Sequence, residues 1–134
     1  MVLYSQLIRS ILEFNSNVWF SSITEEESED LERVQKSVCK ILLKSRYTSY
    51  EEALNILQLE DLKTRRLKQA LKFGKGCLEV DQMKKLFHQK SDCTYNLRNQ
   101  ENIDVQHASR QRLYKSTIPS LQRLMNQEKE ADRV

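Results

Sequence analysis

Two-metal phosphoryl chemistry needs carboxylates gathered on a rigid turn, so that the ions hold both the attacking and the leaving oxygens. The sequence has no Tyr-x-Asp-Asp motif and no Asp-Asp pair, and its Glu51-Glu52 pair falls at a helix start, where capping and the helix dipole account for acidic residues. Cys77, His88 and Cys93 are irregularly spaced and number three, where zinc usually takes four ligands, and His107 lies far from His88. Gly74-Lys75-Gly76 lacks the longer glycine spacing and the preceding strand of a phosphate loop. No catalytic residue, metal ligand or cofactor is expected, and no enzyme activity.

The strongest chemical signal is electrostatic. From Lys63 to Lys75 the chain carries six basic residues and no acidic one. At about 100° per residue, Arg65, Lys68, Lys72 and Lys75 share one narrow helix face, opposite Leu67, Leu71, Gly74 and Leu78. Such a stripe suits contacts to an RNA or DNA backbone that are blind to sequence, each releasing counterions. Arg110, Arg112 and Lys115 are expected to assist. Tyr47, Tyr95 and Tyr114 are candidates for base stacking, with half-buried packing the commoner role.

The elements that must position this stripe are helical. Leu3, Leu7, Ile8, Ile11, Leu12, Phe14, Val18 and Trp19 recur at helical spacing and predict a central first helix over residues 2–20. Thr24 with Glu27 reads as a capping box for a second helix over 25–44, with Leu31, Val34, Val38, Ile41 and Leu42 as its buried stripe. Ser49 with Glu52 starts a third helix that ends near Gln58. A fourth runs over 61–80, where Gly74 either allows a close helix crossing or is incidental to a marginal helix, and a short fifth starts at Asp81 with Met83, Leu86 and Phe87 inward. Residues 90–104 are polar and aperiodic and predict a loop; Pro119 fits the first turn of a last helix whose apolar edge is Leu121, Leu124 and Met125.

Composition agrees. Two glycines and one proline in 134 residues leave few places for tight strand turns, which favours an all-α fold with a single core. Three widely spaced cysteines fit neither a disulfide framework nor a metal knuckle, so a reduced, intracellular protein is expected. No run is long and apolar enough for a bilayer, so no membrane partner is expected. The net charge of +3 conceals an asymmetry: residues 1–62 hold 6 basic against 11 acidic residues, or −5, and residues 63–134 hold 16 against 8, or +8. A polyanion would meet the second half.

Read as whole blocks, LYSQLIRSILEFNSNVWFSSI resembles the segment after the palm of non-LTR (LINE-type) retrotransposon reverse transcriptases, through Leu3, Tyr4, Ile8, Arg9, Ser10, Leu12, Glu13, Val18 and Trp19. LERVQ (31–35) is similar to that family's second thumb helix, and the stretch from Tyr47 to Phe87 continues the likeness, with Arg65-Arg66 matching a common basic pair. YKSTIPSLQRLMN (114–126) is similar to a closing motif of jockey- and CR-type elements. The likeness covers residues 3 to 126. Phe14 replaces the usual Tyr, Asn15 stands where glycine or another small residue is common, and the proline that often follows Val-Trp is missing. The resemblance implies a thumb-like helical bundle and its extension, which in that family pack against the template-primer duplex; with the residue patterns above, this divides the chain into a bundle over 1–89, a polar irregular stretch over 90–118, a short helix over 119–127 and a frayed tail over 128–134. It also implies that the palm and its metal-binding carboxylates would precede residue 1, leaving exposed apolar surface for the palm or another protein partner.

Overall fold

The computed structural model describes residues 3–87, 103–105, 107 and 109–132. Among these the chain forms helices and turns with no β-strand, the all-α fold expected from its composition. A π-helical turn, Tyr4–Ile8, leads into α1 (Arg9–Leu12); α2 (Ser16–Trp19), α3 (Glu25–Leu43), a 3-10 turn (Lys44–Arg46), α4 (Tyr50–Leu57), α5 (Leu62–Glu79), α6 (Asp81–Lys84), α7 (Gln111–Tyr114) and α8 (Thr117–Ala131) follow. None of these helices is long and apolar enough to cross a membrane. The chain divides into two compact units, Met1–Ser16 with Ile23–Lys68, and Asn17–Ser22 with Gln69–Val134.

In the first unit the helix starts follow local chemistry. Thr24 Oγ1 accepts the Glu27 amide at 3.2 Å while Glu27 Oε2 accepts the Thr24 amide at 2.8 Å, which closes the capping box of α3. Ser49 Oγ accepts the Glu52 amide at the head of α4. α4 stops at Gln58, whose φ of 52° is left-handed, and the Leu59 amide reaches back to the Leu54 carbonyl at 2.8 Å, a Schellman-type ending without the usual glycine. At the start of α5 the free amides of Lys63 and Thr64 donate to Glu32 Oε1 at 2.9 Å and Asp61 Oδ2 at 2.8 Å.

The predicted continuous first helix is interrupted. Residues 13–15 form a turn, and Asn15 takes a φ of 54° before α2 begins. Asparagine tolerates that region better than other residues with a side chain, because its short amide bonds locally. The expected burial of this segment is also corrected: Leu3, Leu7, Ile11 and Phe14 are 74%, 59%, 75% and 75% exposed, whereas Tyr4 is buried and Trp19 only half-buried. A second correction concerns α3. Its buried face is Ser28, Gln35, Cys39 and Leu43, while Val34, Ile41 and Leu42 face outward. Polar side chains are drawn inward here because partners await them, as the next section describes. Cys39, Leu43 and Ala53 form the apolar core, with Tyr47, Tyr50, Leu57 and Leu59 packed against it.

The second unit has its own core: Ala70, Cys77, Phe87, Ile103, Leu121 and Met125, flanked by Phe20, Leu71, Leu78, Ile118 and Leu124. Gly74 fulfils the close-crossing role, since a Cβ there would stand 2.8 Å from Met125 Sδ of α8. Leu67 is more exposed than its expected place on the packed face requires. Met83 and Leu86 also point outward, and of the fifth helix's expected inward residues only Phe87 is buried. The last helix begins at Thr117, two residues before Pro119, and continues to Ala131, past the expected fraying point. α7 occupies part of the stretch expected to be irregular. Of the polar loop predicted over 90–104, residues 90–102 lie outside the described residues, as do His88, Cys93 and Tyr95.

Candidate nucleic-acid interface

α5 carries Arg65, Lys68, Lys72 and Lys75 as the helical spacing requires, but tertiary structure commits most of their charge. Arg65, in the first unit, grips the Glu13 carboxylate with two prongs, Nε to Oε1 at 2.6 Å and Nη2 to Oε2 at 3.1 Å. Their side chains are only 26% and 11% exposed. The carboxylate beside it raises the Arg65 pKa above its ordinary value, against the opposing effect of burial. A guanidinium held in this way is a clamp between the N-terminal segment and α5 and is poorly placed to reach a phosphate. Lys68 pairs with Glu60, and Lys63, one turn earlier, pairs with Glu25 at 2.9 Å.

In the second unit Lys75 pairs with Glu128 of α8 at 2.8 Å. Lys72 is exposed and makes no ion pair with the described residues. Arg110 caps the N-terminus of α7 in extended conformation and Arg112 lies within that helix; both are exposed. Lys115 is half-buried at the end of α7, and its carbonyl accepts the Ser21 hydroxyl at 2.7 Å. Arg123 stacks on the Tyr114 ring at 3.6 Å from its centroid and donates to Ser120 Oγ at 3.0 Å, so Tyr114 already has a cation on its face.

What sequence reasoning missed is a buried polar network in the first unit. Gln35 is fully buried; its Oε1 accepts from the Tyr4 hydroxyl, and its Nε2 donates to Tyr50 Oη at 3.0 Å and to the Glu60 carbonyl at 2.9 Å. Tyr50 in turn donates to Glu32 Oε2 at 2.6 Å. Burial pushes the Tyr4 hydroxyl up to about 12 and raises Tyr50 as well, with the Glu32 carboxylate adding to the latter. Nearby, buried Arg66 donates to Ser28 Oγ at 2.6 Å, and burial lowers its pKa. Nothing in the sequence marked Gln35 out, since it is one of many polar residues in α3.

Glu52 is occupied by Thr48 Oγ1 and the start of α4, and no group of three or more His, Cys, Asp or Glu residues able to hold a metal occurs among the described residues. Asp104 and His107 stand beside Lys85, Val105 and Ile118 around a hollow of about 560 Å³. Set against family models, curated proteins and solved structures, the chain matches none of them.

Proposed function

We propose that the chain is a helical piece without polymerase chemistry of its own, akin to the region that follows the palm in non-LTR retrotransposon reverse transcriptases, and that it binds nucleic-acid backbone without choosing sequence. One observation carries the first part. Tyr4, Gln35 and Tyr50 come from three separate blocks of the resemblance and meet in one hydrogen-bonded network, while Glu13 of the first block and Arg65 of the third form one ion pair. Those side-chain identities are what the bonds require, which supports the blocks as parts of one design. For binding, the exposed Lys72, Arg110 and Arg112 supply cations that form no ion pair with a described carboxylate. Titration of the folded chain with an RNA–DNA hybrid duplex at two salt concentrations tests this: affinity falls as salt rises. A folded chain that binds no duplex at low salt overturns the proposal.

The exposed row Leu3, Leu7, Ile11 and Phe14 favours a second reading, a protein-interaction module or a relic whose apolar face once met a palm domain. Replacing Leu7 and Ile11 by glutamine leaves the melting temperature unchanged and abolishes binding to a separately produced palm of the resembled family. Undiminished palm binding by that variant sinks the second reading.

A further inference from the structure

Apart from Arg9 and Arg33, the cations of the first unit fall into two groups that sequence alone does not separate. Those of α5 are spent: Lys63, Arg65 and Lys68 each pair with a carboxylate, and Arg66 is buried on Ser28. Those in the second half of α3 and the 3-10 turn after it are not. Lys36, Lys40, Lys44 and Arg46 are all exposed and form no ion pair among the described residues. From Arg33 to Tyr50 the chain contains no acidic residue at all, and Arg33 is itself paired with Asp30.

Geometry makes a row of these groups. Lys36 and Lys40 stand one turn apart on one side of α3, at a rise of about 6 Å, and Lys44 and Arg46 follow in the 3-10 turn, where Lys44 leaves helical geometry at a φ of 48°. Two of them are also steered by aromatic rings: Lys36 Nζ stands 5.1 Å from the Tyr50 ring centroid and Lys40 Nζ 5.6 Å from that of Tyr47. A ring beneath each ammonium group attracts it and restricts the side chain, while both lysines remain exposed. The helix dipole accounts for a cation in the last turn of α3, but its influence fades within that turn and leaves Lys36 unexplained.

We propose that the face of α3 carrying Lys36 and Lys40, continued by Lys44 and Arg46 of the 3-10 turn, is the main phosphate-binding surface of the first unit, and that its ligand is the backbone of duplex nucleic acid. A double helix presents about one charge per 1.7 Å of axis, so two lysines about 6 Å apart along the helix, with two more cations in the turn beyond, meet several phosphates without regard to base sequence. The inference rests on the nucleic-acid reading above but assigns the contact to α3, where that reading began from α5.

The test uses the full chain and a duplex DNA of arbitrary sequence, titrated across a series of salt concentrations. Replacing Lys36, Lys40 and Lys44 together by glutamine, which preserves helix propensity, lowers the salt-dependence slope by about 3, near 0.9 for each lost contact. The triple arginine variant keeps the slope. Changing Lys72, Arg110 and Arg112 to glutamine has the smaller effect. A glutamine triple variant that retains its slope, while the Lys72, Arg110 and Arg112 variant loses it, overturns the α3 surface and leaves backbone binding standing. A wild-type chain that binds no duplex overturns both. Circular dichroism and melting of each variant confirm that a lost slope reflects lost contacts and not a lost fold.

Discussion

Arg65 and Glu13, 52 residues apart, meet through two hydrogen bonds of 2.6 and 3.1 Å in a partly buried ion pair that fastens the N-terminal segment to α5. Because both partners are largely withdrawn from water, breaking the pair leaves a charge poorly solvated. Glu13→Gln is expected to cost about 1–3 kcal/mol. Arg65→Lys is expected to cost nearly as much, since an ammonium group cannot reproduce the two-pronged geometry. Urea unfolding of the two single variants and the double variant measures the coupling; additive losses would remove the pair from the account of stability.

Tyr4 gives the fold an alkaline limit. Its pKa is raised from 10.0 to about 12 in the folded chain because burial disfavours the phenolate. A raised folded value means the contribution is full below pH 10 and is lost as pH rises towards 12. That contribution is on the order of 2–3 kcal/mol. Melting temperature followed from pH 9, about one unit below the onset, up to the end of that range near pH 12 should fall with the appearance of phenolate absorbance. Tyr4→Phe should flatten part of that fall, though Tyr50, shifted in the same direction, preserves the rest.

Gln35 holds three groups at once, so its removal should be costly out of proportion to its size. Gln35→Met keeps the volume but leaves the Tyr4 and Tyr50 hydroxyls and the Glu60 carbonyl short of a partner. A loss of about 3 kcal/mol is expected in chemical denaturation. The neighbouring Val34→Met, on an exposed position, should change stability by less than about 0.5 kcal/mol.

The two glycines of α5 make opposite predictions. A Cβ on Gly76 meets nothing within 4 Å, so Gly76→Ala should stabilise by about 1 kcal/mol through helix propensity alone. At Gly74 a Cβ would press on Met125 Sδ at 2.8 Å and approach Leu121, so alanine gains less there and leucine costs about 1–3 kcal/mol. Equal gains from both alanine substitutions would remove the close approach of α8.

Much of the local structure was legible in the residues themselves. Thr24 with Glu27 and Ser49 with Glu52 mark helix starts because a cap is completed within four residues, and α4 ends at Gln58 as its periodicity indicates. The all-α class followed from the scarcity of glycine and proline together with recurring helical spacing. Which face of each helix is buried was a tertiary decision. α3 turns Gln35 inward and Val34 and Ile41 outward because Tyr4, Tyr50 and Glu60, brought from three other parts of the chain, satisfy the amide. The same holds for the candidate interface: spacing alone put four cations on one side of α5, but Glu13, Glu60 and Glu128 determine that three are neutralised in place. Backbone hydrogen bonds and caps act over a few residues and can be read along the chain. The availability of a charge depends on neighbours that only folding brings near, and so it belongs to the tertiary structure.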